Sequence, residues 1–130
     1  MNEVVDTNVI LRFLVGDHAE QRKQAEGWFK EAEMGTRKLI VTAVVIAETC
    51  FVLESVYKKS REEVAQKLTV FVSQPWFSVP EREILMQMWR LYSQGIHFVD
   101  AYLVAWKIVN GDSILSFDQK LGRLTSTSKS

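Results

Sequence analysis

The chain has 130 residues, one domain's worth and enough to enclose a hydrophobic core. Sixteen basic residues balance sixteen acidic ones, which argues against capture of nucleic acid by bulk positive charge. The one cysteine, Cys50, excludes an intrachain disulfide and makes the cytoplasm the default compartment, and neither a signal peptide nor an apolar run of membrane-spanning length is read.

Glu3 to Val5 reads as a short strand leading into Asp6. A helix follows, because Val9, Ile10, Phe13 and Leu14 fall on one face, and Gly16 ends it. Asp17 is the expected cap of a second helix to about Met34, with Ala25, Trp28, Phe29 and Ala32 as its apolar stripe and Gly35 as its stop. Lys38 to Val41 is a second strand. Thr42 then caps a strongly apolar helix to about Tyr57. Ser60 with Glu63 three residues on is a capping box, which predicts a helix to about Ser73. Pro75 to Val79 is extended, and Pro80 fits the first turn of a helix to Gln94, stopped by Gly95. A further helix runs from Phe98 or Val99 to Asn110 before Gly111. Ser113 to Ser116 reads as a last strand, and Asp118 as the start of a short last helix. Residues 1–124 form the expected domain, and Thr125 to Ser130 a polar tail expected to be disordered. Strands alternating with helices specify an α/β fold with a short parallel sheet between helical layers, in which ligands bind beyond the carboxyl ends of the strands.

Four acids stand out against this layout. Asp6 and Asp118 each follow a predicted strand. Glu48 lies among Val44, Val45, Ile46, Ala47, Cys50, Phe51, Val52 and Leu53, a helix so apolar that burial nearly all round is expected. A carboxylate buried there needs a partner or a metal. Asp100 sits in the first turn of another apolar helix. Each acid alone has an ordinary reading as a helix cap, a dipole-favoured residue or part of a polar stripe. Gathered at one sheet edge, they would need a cation to remain charged, and an oxygen-only donor set selects magnesium or manganese. Neither His18 nor His97 has the spacing partner of a zinc site. Cys50, inside the apolar run, reads as a buried, inert thiol.

These residues resemble a known family. Met1 to Leu14, with Val4-Val5-Asp6-Thr7-Asn8, looks like the opening of PIN domains and of VapC toxins in particular. Val44 to Glu48 resembles their second motif, Phe98-Val99-Asp100-Ala101 the third and Leu115-Ser116-Phe117-Asp118 the fourth. The four motifs come in order and cover nearly the whole chain. The resemblance implies a PIN-like three-layer fold, a short, mainly parallel sheet flanked by helices. It implies magnesium or manganese held by Asp6, Glu48, Asp100 and Asp118, which would form the catalytic core, with Asn8 and Ser116 as supporting polar positions. It further implies a toxin that cleaves RNA, transfer or ribosomal RNA among its targets, through a metal-activated water, together with a VapB-like antitoxin partner and a homodimer.

Arg12, one turn beyond Asn8, is a candidate phosphate contact, although a solvated arginine is the simpler reading. Lys58, Lys59 and Arg61 read as a solvated basic turn, and Trp28, Trp76, Trp89 and Trp106 as core or interface residues rather than base-stacking platforms. Haloacid-dehalogenase phosphatases need a second Asp where Asn8 stands, and receiver domains need an acid where Val5 precedes Asp6, so both fit poorly. A PIN nuclease of another RNA- or DNA-processing role and a catalytically inactive PIN binding module remain as alternatives.

Overall fold

The computed structural model describes residues 2–128. Three parallel strands form the sheet in the order β1 (Asn2–Val4), β2 (Lys38–Ile40) and β3 (Phe77–Ser78). Val4 pairs with Ile40, and Ile40 with Ser78. Parallel neighbours need long crossovers, and here each crossover is a pair of helices. Helices α1 (Thr7–Val15) and α2 (Ala19–Met34) join β1 to β2, and α3 (Ala43–Ser55) and α4 (Arg61–Ser73) join β2 to β3. Helices α5 (Arg82–Ser93), α6 (Phe98–Asn110) and α7 (Gln119–Ser128) complete the described chain.

The strands are short, and apolar residues at and just beyond them are buried: Val5, Leu39, Val41, Phe77 and Val79. They meet Ile10 and Leu11 of α1, Phe29 of α2, Leu53 of α3, Leu68 and Phe71 of α4, and Leu85 and Met88 of α5 in one continuous core. Phe29 sits at its aromatic centre, with ring centroids 4.9 Å from Phe13, 5.5 Å from Phe71 and 5.2 Å from Phe77, all edge-on. That geometry suits the ring quadrupoles and adds to the area buried.

Most caps fall where the sequence puts them. The Thr42 and Ser60 side chains accept the backbone N–H of Val45 and Glu63, and Gly111 ends α6 at φ 78°, a left-handed conformation that suits glycine. Several elements differ from expectation. Residue His18, not Asp17, caps α2, its Nδ1 accepting from Gln21 N–H. Asp17 instead accepts from the Tyr57 hydroxyl at 2.8 Å and pairs with Arg12. Pro80 precedes α5 rather than opening it, because the Arg82 N–H closes a turn on the Val79 carbonyl and the helix begins only there.

The largest departure is at Ser113–Ser116. This stretch forms no strand, so the described sheet has three strands and Asp118 does not end one. Helix α7 runs on to Ser128, into the segment expected to be a disordered tail, while Lys129 and Ser130 lie outside the described residues.

Candidate active site

Asp6 lies just after β1 and caps α1; its carboxylate accepts the Thr7 N–H at 2.8 Å, and the side chain is exposed. Asn8 is exposed in the first turn of the same helix and lines a small cleft of about 160 Å³ with Arg12, Gln21 and Trp28. Arg12 is already engaged: its Nε donates to Gln21 at 2.7 Å and its guanidinium lies 3.6 Å from Asp17, tying α1 to α2.

Glu48 is exposed, contrary to the burial expected for an all-apolar helix. The reason is that one stripe of α3 (Val44, Glu48, Phe51 and Ser55) faces solvent, with Val44 79% and Phe51 64% exposed. An apolar helix is buried only where something covers it, and among the described residues nothing covers this stripe. Glu48 opens onto a cleft of about 650 Å³ between α3 and the start of α6, walled by Phe51, Phe98 and Val99 and closed at its floor by Arg61 and Tyr92.

Asp100 is half-buried in the first turn of α6, three residues beyond His97, whose Nδ1 accepts the Val99 N–H. Asp118 is exposed in a turn ahead of α7. Its carboxylate accepts the Lys120 N–H and its own N–H donates to Ser116 Oγ, both at 2.9 Å. The small hydroxyl at Ser116 therefore orders the backbone at Asp118.

Among the elements carrying these acids, α1 packs on α3 and α6 on α7, and α3 and α6 line one cleft. The set does not close, however. Among the described residues, no three His, Cys, Asp or Glu side chains gather closely enough to hold a metal ion. The oxygen donors of these side chains suit magnesium or manganese.

A polar network beside Glu48 was not foreseen. Glu54, one and a half turns along α3, accepts from the Tyr92 hydroxyl at 2.5 Å and from Arg61 Nε at 3.2 Å. Arg61 also donates to the carbonyls of Tyr92 and Ile96 at 3.1 and 2.6 Å and lies 4.7 Å from the Tyr92 ring centroid. It is the tie between α3, α4 and the end of α5, not a solvated turn residue. Burial first, and then its hydrogen bond to Glu54, push the Tyr92 hydroxyl well above the usual tyrosine range. The Cys50 thiol, one turn before Glu54, is pushed up to about 12 chiefly by burial, which fits its reading as an inert core thiol. The sequence signal was thin: an acid late in an apolar helix and a tyrosine in the stripe of α5, 38 residues apart.

The PIN domain profile matches residues 4–126. The chain belongs to the PIN domain family. All four acids of this PIN domain fall within the matched span. The chain is also similar to a VapC ribonuclease of Aquifex aeolicus (strain VF5), 28% identical over 124 residues that cover 94% of this chain and 91% of that protein. No solved structure matches it significantly. In this PIN domain no described helix is long and apolar enough to cross a membrane.

Proposed function

We propose that this PIN domain is an endoribonuclease that serves as the toxin of a toxin–antitoxin pair, hydrolysing RNA phosphodiesters. The observation that carries the reading is the family match across residues 4–126, a span that contains Asp6, Glu48, Asp100 and Asp118. The similarity to a VapC ribonuclease along nearly the whole of both chains supports the toxin class.

We assign these four carboxylates to the catalytic site and magnesium, with manganese as its substitute, as the cofactor. Oxygen donors favour these ions, and a divalent ion supplies charge neutralisation and an acidic water when bound. The residues prepare for this in two visible ways. The Thr7 N–H fixes the Asp6 carboxylate at the head of α1, and the Ser116–Asp118–Lys120 turn fixes Asp118. Asn8, beside Asp6, is the supporting amide. Arg12 stays a candidate phosphate contact, one that would first have to leave Asp17 or bind with it.

A VapB-like antitoxin and the cytoplasm follow from the same reading, as does a homodimer. For the antitoxin, a groove of about 710 Å³ between α2 and α4 offers an apolar floor of Phe13, Leu14, Phe71 and Trp76 under a rim of mixed charge, Lys23, Lys30 and Lys67 with Glu26 and Glu33. An inserted segment with apolar anchors and charged flanks suits it.

One observation favours a second reading, that of a catalytically inactive PIN binding module: among the described residues no three His, Cys, Asp or Glu side chains gather. Incubating purified protein with single-stranded RNA and with folded transfer RNA separates the two. Cleavage that requires magnesium or manganese, stops with chelator and is lost in Asp6→Asn supports the nuclease. Absence of cleavage together with absence of calorimetric magnesium binding supports the module.

A further inference from the structure

The carboxyl ends of β2 and β3 open onto a pocket that none of the four acids lines. It encloses about 410 Å³, within the range of small-ligand sites. Thr42 stands two residues beyond β2, and Glu81 follows β3. Ligands of parallel α/β folds bind at this edge of the sheet. Phe98, Val99 and Tyr102, from the first turns of α6, complete the wall with Val44 of α3. Val44 and Val99 are 79% and 52% exposed, so apolar surface is left open to a contact. The pocket adjoins the Glu48 cleft, because Val44, Phe98 and Val99 line both, and Asp100 is the residue after Val99.

The lining is mostly apolar, and its polar groups are few. Glu81 occupies the N-cap position of α5, yet its side chain makes no capping hydrogen bond. Its Oε2 accepts from the Tyr102 hydroxyl at 2.5 Å instead. Its Oε1 has no hydrogen-bond partner among the described residues. Burial first, and then the bond to Glu81, push the Tyr102 hydroxyl up to about 12, so the phenol keeps its proton and holds the carboxylate in the pocket wall. Each carboxylate oxygen has more than one lone pair, so Oε2 can accept a second time. Thr42 Oγ1 accepts the Val45 N–H, and its own O–H remains a donor. The pocket therefore offers two acceptor oxygens on one carboxylate and one hydroxyl donor between apolar and aromatic walls.

We propose that this pocket takes one unstacked guanine base of the RNA, next to the bond that is cut, and that Glu81 reads it. Single-stranded RNA presents splayed bases, which stack on aromatic side chains and are recognised by hydrogen bonds along the Watson–Crick edge. Guanine is the base with two neighbouring donors on that edge, N1–H and the N2 amino group, beside one acceptor, O6. The Glu81 carboxylate accepts from both donors, and the Thr42 hydroxyl donates to O6. Adenine and cytosine would turn a ring-nitrogen lone pair towards the carboxylate, and uracil has a single donor between two carbonyl oxygens. A site with so few polar groups rejects a base that leaves them unpaired. The inference rests on the nuclease reading for the base's place beside a cut, while the selectivity of the pocket stands without catalysis.

Binding is tested without turnover, by titrating the full chain in chelator with GMP, AMP, CMP and UMP while following amide signals by NMR. GMP is expected to move the signals of Thr42, Val99 and Tyr102 and to bind at least about tenfold tighter than the other three, within the range that one bidentate pair discriminates. In Glu81→Gln the side-chain carbonyl still accepts from Tyr102, but an amide donor replaces the second acceptor oxygen. That variant should keep its melting temperature and lose the preference for GMP. Equal affinity for the four nucleotides, or shifts confined to other parts of the chain, would overturn the proposal. Pocket signals that move with protein concentration and not with GMP would assign the pocket to a second copy and overturn it too. On RNA, cutting beside G is expected of wild type, and Glu81→Gln should cut without that preference; wild-type cutting indifferent to G overturns the subsite. Selective GMP binding by a protein that cuts no RNA removes the nuclease reading and leaves the pocket standing.

Discussion

Replacing Arg61 by alanine is expected to weaken the fold more than an arginine in a loop-to-helix connection normally would. Its guanidinium makes a charge-assisted contact to Glu54, donates to two carbonyls on the end of α5 and the following turn, and covers the Tyr92 ring. A hydrogen bond involving a charged group contributes about 1.5–3 kcal/mol, and a cation over an aromatic face about 0.5–1 kcal/mol. The Glu54 pair is roughly 30% exposed on both sides, so solvent screening holds its share to about 1 kcal/mol or less. These contributions share one side chain and do not add fully. A loss of about 3 kcal/mol follows, a large part of the roughly 5–15 kcal/mol that holds a domain together. Equilibrium urea unfolding of wild type, Arg61→Ala, Tyr92→Phe and the double variant measures it. Arg61→Ala and Tyr92→Phe should couple, because both anchor the Glu54 carboxylate. Arg61→Ala within 1 kcal/mol of wild type, or strict additivity in the cycle, would refute the assignment of Arg61 as the tie between these helices.

Other substitutions and conditions carry their own expectations. Phe71→Ala removes a ring 5.5 Å from Phe29 and 4.8 Å from Phe77, and should cost about 3–5 kcal/mol in chemical denaturation, at the lower end where the adjoining α2–α4 groove lets neighbours relax. The Cys50 thiol, raised by burial from 9.0 to about 12, keeps its proton in the folded protein after the unfolded chain has lost its own. Its contribution is complete below pH 9.0 and is lost as pH rises towards about 12, at up to about 1.4 kcal/mol per pH unit. Wild-type stability should accordingly fall between pH 9 and 10 in urea titrations, and Cys50→Ala should flatten that window; an unchanged slope would contradict the buried-thiol reading. Above pH 10, Tyr92 and Tyr102, both raised chiefly by burial, add losses of the same sign. Leu115→Ser with Phe117→Ser touches fully exposed side chains. Stability in urea unfolding should change by less than about 0.5 kcal/mol.

Local signals in the sequence reached the structure largely intact. Helix α6 was legible at both ends, because an apolar run begins after His97 and Gly111 offers a left-handed stop. The Thr42 and Ser60 caps were legible for the same reason: a hydroxyl side chain acts on an N–H three residues away. What failed was whatever depends on residues far along the chain. The apolar composition of α3 implied burial of Glu48, but composition does not say which face another element covers, and the Val44–Glu48–Phe51 stripe is open. Arg61 looked like one of three basic residues in a turn, since its partners Glu54, Tyr92 and Ile96 come from elements brought together only by folding. Ser113–Ser116 has the apolar character of a strand, yet a strand needs a neighbour, and within the described chain it has none. The four acids stand in the segments that resemble the family's motifs, whereas the gathering expected of them is a tertiary property, and among the described residues no three such side chains meet.

We propose that Asp6, Glu48, Asp100 and Asp118 make this protein a divalent-metal-dependent ribonuclease. The most direct measurement compares RNA cleavage by wild type and Asp100→Asn with magnesium, with manganese and with chelator. The expected result is cutting of single-stranded or transfer RNA by wild type in either metal, none with chelator, and a loss of at least about a hundredfold in the variant, the scale of losing a group that acts on the transition state. Cleavage that persists in the variant or in chelator, with the folded state intact by circular dichroism, would contradict it.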